Sequence, residues 1–364
     1  MQGKKIVEIL KCAEAGDRIS EEDAVCLLNA QGADVWAIAQ TADRLREKKV
    51  GNVVTYVRNQ NLHITNICKN LCGFCSFGRP RGAEGAYRYG KAEVQAEALR
   101  AQERGVTEVC FLSGVHPDVT AEDYAGMIGW VHEVLPGVDL HVGSPDEIAS
   151  AAKKSEISTC KMLEMCIGAG LGTVQGTAAE MLVDSVREII CPNKIKTAEW
   201  IRIIKEAHGL GLKSTSTIMY GTIESSEDIA THFGILRKIQ DETGGFTELV
   251  PLSYLYQNTS LYERGIAPKG ATGRRDLLLF AVARIFLDNF DHIQIPWGKI
   301  GLKMTQLGLM AGGDDVGGTM FIDAVSTDAG SEEGGFFDPS EMERIASDVG
   351  RELRQRTTKY QLID

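Results

Sequence analysis

From about residue 52 onward, short β-branched runs alternate with longer amphipathic stretches, and this alternation restricts the fold more than any other feature of the chain. Strands that follow one another through helical crossovers pair in parallel, and parallel sheets are covered by helices on their faces. Eight runs qualify: Leu62–Ile67, Val109–Ser113, Leu140–Gly143, Leu171–Gln175, Ser214–Tyr220, Thr247–Leu252, Ile293–Trp297 and Val316–Phe321. The fourth carries the weakest signal, because KMLEMCIGAGLGTVQG also reads as a helix end followed by a turn. Eight units predict an α/β chain closed as a (β/α)8 TIM-type barrel over residues 51–364, with a C-terminal helix. Residues 1–50 read as a helical lead-in, where Ser20 and Asp23 give an N-cap signal. With 364 residues and 43% apolar content, the chain can fill such a core.

Charge and hydropathy narrow the partners. Thirty-nine Lys and Arg against 50 Asp and Glu leave a net charge of -11, which repels phosphate backbones and anionic membranes. The start, MQGKKIVEIL, turns charged before an apolar leader core develops, and no run approaches a membrane span. A cytoplasmic protein binding neither nucleic acid nor membrane is expected.

Nine cysteines in a chain this long do not resemble a disulfide framework. Six stand singly in apolar contexts, whereas Cys68, Cys72 and Cys75 cluster in NLHITNICKNLCGFCSF, directly after the first predicted strand. A loop with this spacing can give one thiolate to each of three irons of a 4Fe-4S cubane. The fourth iron is then open to the amino and carboxylate groups of S-adenosylmethionine (SAM). The rival is structural zinc, which needs a fourth ligand; His63, five residues before Cys68, is the nearest. Phe74 stands either beside the adenine of SAM or as a hydrophobic anchor for the loop.

Strand ends supply further candidates, since catalytic loops of a barrel gather at the C-terminal mouth. His116, Asp118 and Glu147 follow the second and third strands and can hold a polar substrate or the SAM ribose. Pro117 and Asp118 also suit a turn and cap. Glu180 is placed to reach SAM or substrate, or to favour a helix dipole. Asn258, Thr259 and Lys299 can bind carboxylate or ribityl groups, or lie in exposed loops. His132, His208 and His232 fall in helical stretches as solvated or satisfied imidazoles. The adjacent carboxylates Asp314 and Asp315 alone do not define a cation site.

The three-cysteine spacing, with an aromatic before the last thiol, resembles the radical SAM signature. By that resemblance Ser113-Gly114-Val115 is the turn that receives the SAM amino group, and Met219-Tyr220-Gly221-Thr222-Ile223-Glu224 is the segment near the adenine, placing Gly221 and Glu224 among the SAM contacts. Longer strings, including GTAAEMLVDSVREIICPNKIKTAEWIRIIKEAHGLGLKSTSTIMYG, ETGGFTELVPL and DDVGGTMF, are similar to the tyrosine-using subunit family of 7,8-didemethyl-8-hydroxy-5-deazariboflavin synthase.

That resemblance implies L-tyrosine and 5-amino-6-(D-ribitylamino)uracil as substrates, a 4-hydroxybenzyl transfer in deazaflavin (coenzyme F420) biosynthesis, a ferredoxin or flavodoxin as electron donor, and a partner synthase subunit that takes the product. Menaquinone-pathway radical enzymes acting on futalosine-type substrates are its relatives and the alternative reading. A non-catalytic cluster- or zinc-bearing scaffold is the alternative outside enzymes. The chain departs from the family pattern where His is usual, at Thr222 and Tyr256, and also at Gln175, Gly168, Ile322, Val142 and Gly143. Most of these fall at predicted strand exits, so they predict a paralogue with altered substrate use in which Thr222, Tyr256 and Asn258 face the substrate.

Overall fold

A computed structural model describes residues 2–333 and 335–363. Its strands are β1 (Val53–Val57), β2 (Asn59–Leu62), β3 (Glu108–Phe111), β4 (Asp139–His141), β5 (Thr173–Val174), β6 (Lys213–Tyr220), β7 (Phe246–Ser253), β8 (His292–Ile293), β9 (Asp315–Gly318) and β10 (Glu352–Arg356). Strands β2 to β8 form one parallel sheet in sequence order, and β1 lies between β9 and β10 in a second. The second sheet completes the barrel. Gln294, just after β8, bridges to Asp315, and Ile295 N donates to Asp315 O at 2.7 Å. On the other flank Thr55 N donates to Asp314 O and Asn61 N to Met320 O. The ring therefore runs from β8 through β9 to the nearly continuous β1 and β2.

The expected barrel is present, with three differences in its strands. The first strand lies upstream of Leu62–Ile67, because Val53–Leu62 is the extended segment and 63–67 already belong to the loop beyond it. Strand β5 shrinks to two residues, matching its weak sequence signal. After helix Pro339–Asp348 the C-terminal stretch ends in β10, which pairs with β1.

The segment before the barrel is helical, as Gln2–Ala15, Glu21–Leu28 and Ala33–Val50. Ser20 accepts from Asp23 N and closes a capping box. These helices cover the barrel at helices Gly273–Phe286 and Ser226–Thr243. Crossover helices begin at side-chain caps directly after strand exits, at Thr120, Ser144 and Ser225. Such caps satisfy N–H groups that the helix leaves unpaired. Among the described residues, no helix is long and apolar enough to cross a membrane.

Candidate active site

The cysteine loop is tied down by backbone hydrogen bonds to distant segments. Cys68 N donates to Arg79 O at 2.9 Å, Lys69 N to Val115 O at 2.9 Å and Gly73 N to Ile190 O at 3.0 Å, while Leu261 N donates to Gly73 O at 2.9 Å. Asn70, 1% exposed, hydrogen-bonds the Asp146 carboxylate, which also accepts from Ile195 N at 3.1 Å. The loop is thus fixed by polar ties to the segments after β3, β4, β5 and β7.

The three cysteines line one cavity of about 240 Å3 with Phe74, Ser113, Gly114, Glu147, Glu180, Lys194, Met219, Tyr254 and Lys299. Gly114 permits this closeness: a Cβ there would lie 2.5 Å from Ile67 O. Lys194 donates to Glu180 at 2.8 Å. Burial opposes the Lys194 charge, but Glu180 and its other anionic neighbours hold it well above the ordinary lysine range. Burial also lifts Glu147 above the ordinary carboxylate range, although Ser144 N and Oγ donate to it.

Several candidates from the sequence face elsewhere. Glu224 accepts from Gly221 N at 2.7 Å and from Thr222 N and Oγ1 at 2.9 and 2.7 Å, and it pairs with Arg275; none of these residues lines the cavity. His116 lines a smaller neighbouring pocket and accepts from Asp118 N at 3.2 Å, while Asp118 pairs with Arg81. Tyr256 packs edge-on against Tyr262 at 4.7 Å. Asn258 donates to Asp328 O at 2.8 Å beside a shallow outer pocket that Cys75 also lines. Of the family departures, Gln175 alone lines the cavity, and its amide donates to the carbonyls of Phe111 and His141 at 2.9 and 3.0 Å.

Glu180 sits at a positive φ of 46°, in the turn before helix Asp184–Ile190 rather than within a helix. Asp314 is held by Arg284, His292 and Ile293 N, and Asp315 by Thr55, Arg356 and Gly317 N, so both carboxylates are satisfied by the protein. Lys194 was not legible in the sequence; PNK reads as a plain turn. The sequence also gave no sign of a second chamber.

That chamber, about 250 Å3, adjoins the cysteine cavity and shares Leu112, Gln175, Thr177, Leu252, Lys299 and Val325 with it. Its other walls mix the apolar Val57, Val250 and Met320 with polar side chains that include Asn59, Asn61, Glu108, His141, Gln294 and Arg356. The barrel lumen therefore holds an outer cavity at the thiols and an inner one beyond it.

The donor set suits a cluster. Both ring nitrogens of His63, the fourth ligand a zinc site would need, are engaged elsewhere, Nδ1 with Leu112 O at 2.8 Å and Nε2 with Ala324 N at 3.2 Å. The three thiols line one cavity, where each could take one iron. Gly78 keeps room beside them, since its Cβ would lie 3.3 Å from Cys68 Cβ and 4.0 Å from Cys75 Sγ. Burial pushes the Cys72 thiol well above its ordinary value, against the pull of Lys194; a bound iron would remove that proton.

A parallel barrel with three thiols in the loop leaving an early strand, open to a lumen large enough for a nucleoside and its partner, defines the radical SAM class of enzymes. The radical SAM superfamily model matches residues 62–235, and the CofH/MqnC C-terminal region model matches residues 243–364. A 5-amino-6-(D-ribitylamino)uracil–L-tyrosine 4-hydroxyphenyl transferase of Methanoculleus marisnigri is 56% identical over 98% of this chain and 97% of its own. An FO synthase of Mycobacterium tuberculosis is 40% identical over 98% of this chain and 42% of its own. Solved methylornithine synthase (PylB) shares the fold, with a TM-score of 0.71 at 16% identity over 95% of this chain and 97% of its own. The hydrogenase maturase HydG from Carboxydothermus hydrogenoformans does so with a TM-score of 0.74 at 15% identity, over 98% and 81%. The chain belongs to the 5-amino-6-(D-ribitylamino)uracil–L-tyrosine 4-hydroxyphenyl transferase family of radical SAM enzymes.

Proposed function

We propose that this enzyme transfers the 4-hydroxybenzyl group of L-tyrosine to 5-amino-6-(D-ribitylamino)uracil in deazaflavin biosynthesis. The observation that carries the reading is 56% identity to a relative of that name across 98% of the chain. The lumen supports it with an outer cavity at the thiols and a second chamber directly beyond.

Cys68, Cys72 and Cys75 hold the 4Fe-4S cluster, and Phe74, Ser113, Gly114 and Glu180 line the space that SAM takes beside it. Together, cluster and SAM supply a 5'-deoxyadenosyl radical that abstracts hydrogen. The protein's part is positional. The Lys194–Glu180 pair fixes two charges at the cavity wall, and apolar walls including Phe111, Leu112 and Leu252 keep bulk water from a reactive intermediate. Altered substrate use loses its footing, because Thr222 and Tyr256 lie off the cavity and Gln175 is engaged with backbone carbonyls. We place the enzyme in the cytoplasm, reduced by a ferredoxin or flavodoxin and passing its product to the partner synthase subunit.

Anaerobic incubation of the cluster-loaded enzyme with SAM, reductant, L-tyrosine and the ribityl pyrimidine tests this. The expected result is a hydroxybenzyl–pyrimidine adduct with stoichiometric 5'-deoxyadenosine. Consumption of a futalosine-type nucleoside in place of the pyrimidine would transfer the chain to menaquinone chemistry. Absence of SAM cleavage would leave a scaffold.

A further inference from the structure

The inner chamber contains polar groups that the fold leaves without partners. Asn61 and Gln294 are 4% and 9% exposed and line it. Neither carboxamide has a hydrogen-bond partner among the described residues. Each offers two N–H donors and a carbonyl acceptor, and these face the chamber rather than being sealed in protein, so whatever fills the chamber must meet them. The barrel also makes room for Gln294: Gly317, at φ +75°, sits where any Cβ would strike that amide.

His141 supplies a third group, and its orientation is fixed. Thr173 Oγ1 donates its one proton to Asp139 Oδ1 at 2.9 Å, so it can only accept from His141 Nδ1, also at 2.9 Å. The proton therefore sits on Nδ1, and Nε2 accepts only a long hydrogen bond, from Thr215 Oγ1 at 3.4 Å. Burial pushes the imidazole below its ordinary value, which keeps Nε2 an acceptor.

The charges of the chamber are already engaged. Arg356 is tied to Asp315 and Glu248, and Glu108 accepts from Asn59 and Cys110. Lys299 lies at the boundary with the outer cavity and donates to Ser326 at 2.5 Å. What remains is neutral: two carboxamides without partners and one imidazole acceptor held only by a long hydrogen bond. That set suits an uncharged heterocycle rich in N–H, C=O and O–H groups, rather than an amino-acid zwitterion.

We infer that the inner chamber seats the ribityl pyrimidine, with its amide edge at Asn61 and Gln294 and one of its N–H groups at His141 Nε2. This rests on the proposed function and adds the location and the residues that recognise the acceptor substrate.

Calorimetry on the anaerobic, cluster-loaded enzyme tests it, with 5-amino-6-(D-ribitylamino)uracil, SAM and L-tyrosine titrated separately into wild type, Asn61→Leu, Gln294→Met and His141→Phe. Each variant is expected to weaken pyrimidine binding about tenfold or more, as loss of a buried hydrogen bond does, with SAM affinity within about twofold of wild type as the check on folding. Asn61→Asp and Gln294→Glu keep the shape, remove the donors and give the same readout where apolar replacements do not fold. Unchanged pyrimidine affinity in all three, or loss of tyrosine binding instead, overturns the inference. Wild-type enzyme without affinity for the pyrimidine would overturn the proposed function itself.

Discussion

Lys194 Nζ donates to Glu180 Oε1 at 2.8 Å, a buried ion pair on the wall of the cavity that the three cysteines line. Removing one partner leaves the other charge buried and alone, which costs about 3–5 kcal/mol. Glu180→Gln is therefore expected to lower the denaturation midpoint substantially. It is also expected to weaken SAM binding by about tenfold, the equivalent of one hydrogen bond to a charged group. Urea titration and calorimetry with SAM check the two effects independently.

Replacement of Cys68, Cys72 or Cys75 by Ala should reduce iron from about four per chain to little or none and abolish SAM cleavage. Cys166→Ala is the contrast. That thiol is 1% exposed in the core and burial lifts it to about 12, so it acts as a small hydrophobe. Iron analysis and visible absorption should separate the two groups cleanly, with Cys166→Ala keeping full iron.

A second buried ion pair lies away from the cavity. Arg284 and Asp314 are each 2% exposed in their side chains, and Arg284 also donates to the carbonyls of Gly312 and Asp291 at 2.9 Å. Arg284→Met leaves Asp314 charged and buried with only His292 and the Ile293 N–H for company. A loss of about 3–5 kcal/mol is expected, read as a lower urea midpoint, with SAM affinity retained at low temperature.

Acid should destabilise the fold through buried histidines. His232 accepts from Leu182 N at 3.0 Å and donates to Thr217 O at 3.1 Å, and burial pushes it down to about 3; His208 is pushed down to about 4 for the same reason. The unfolded chain titrates near 6.5, so below that pH the unfolded state takes up more protons. Stability is then lost as pH falls from about 6.5 toward 3, at roughly 1.4 kcal/mol per unit for each group. Thermal melts of wild type and His232→Gln between pH 7 and 5 check this, with the shallower slope expected in the variant.

The cysteine loop was legible in the sequence because its chemistry is local: three thiols within eight residues carry their own spacing. The inner chamber was not. Strand prediction looks for β-branched residues, whereas Asn59 and Asn61 of β2 turn polar side chains into a lumen, inverting the usual rule that the inward face is apolar. For the same reason the first strand was read as starting at Leu62. Strand β10, with the sequence ELRQR, carries charges that suit a helix, yet it pairs with β1 because Arg356 finds Asp315 and Glu248. Gly221 and Glu224 were placed near SAM by their string alone, and nothing in that string reveals that the carboxylate closes its own turn.

Strand β1 lies beside β9 and β10, with Val53 opposite Glu352. Its partners are synthesised only after almost the whole barrel has left the ribosome. Contacts so distant in sequence form late, since a very long loop must first close. The thiols that follow β2 are thus made well before the wall opposite them exists, and the nascent half-barrel presents them open-sided until β9 and β10 have been made.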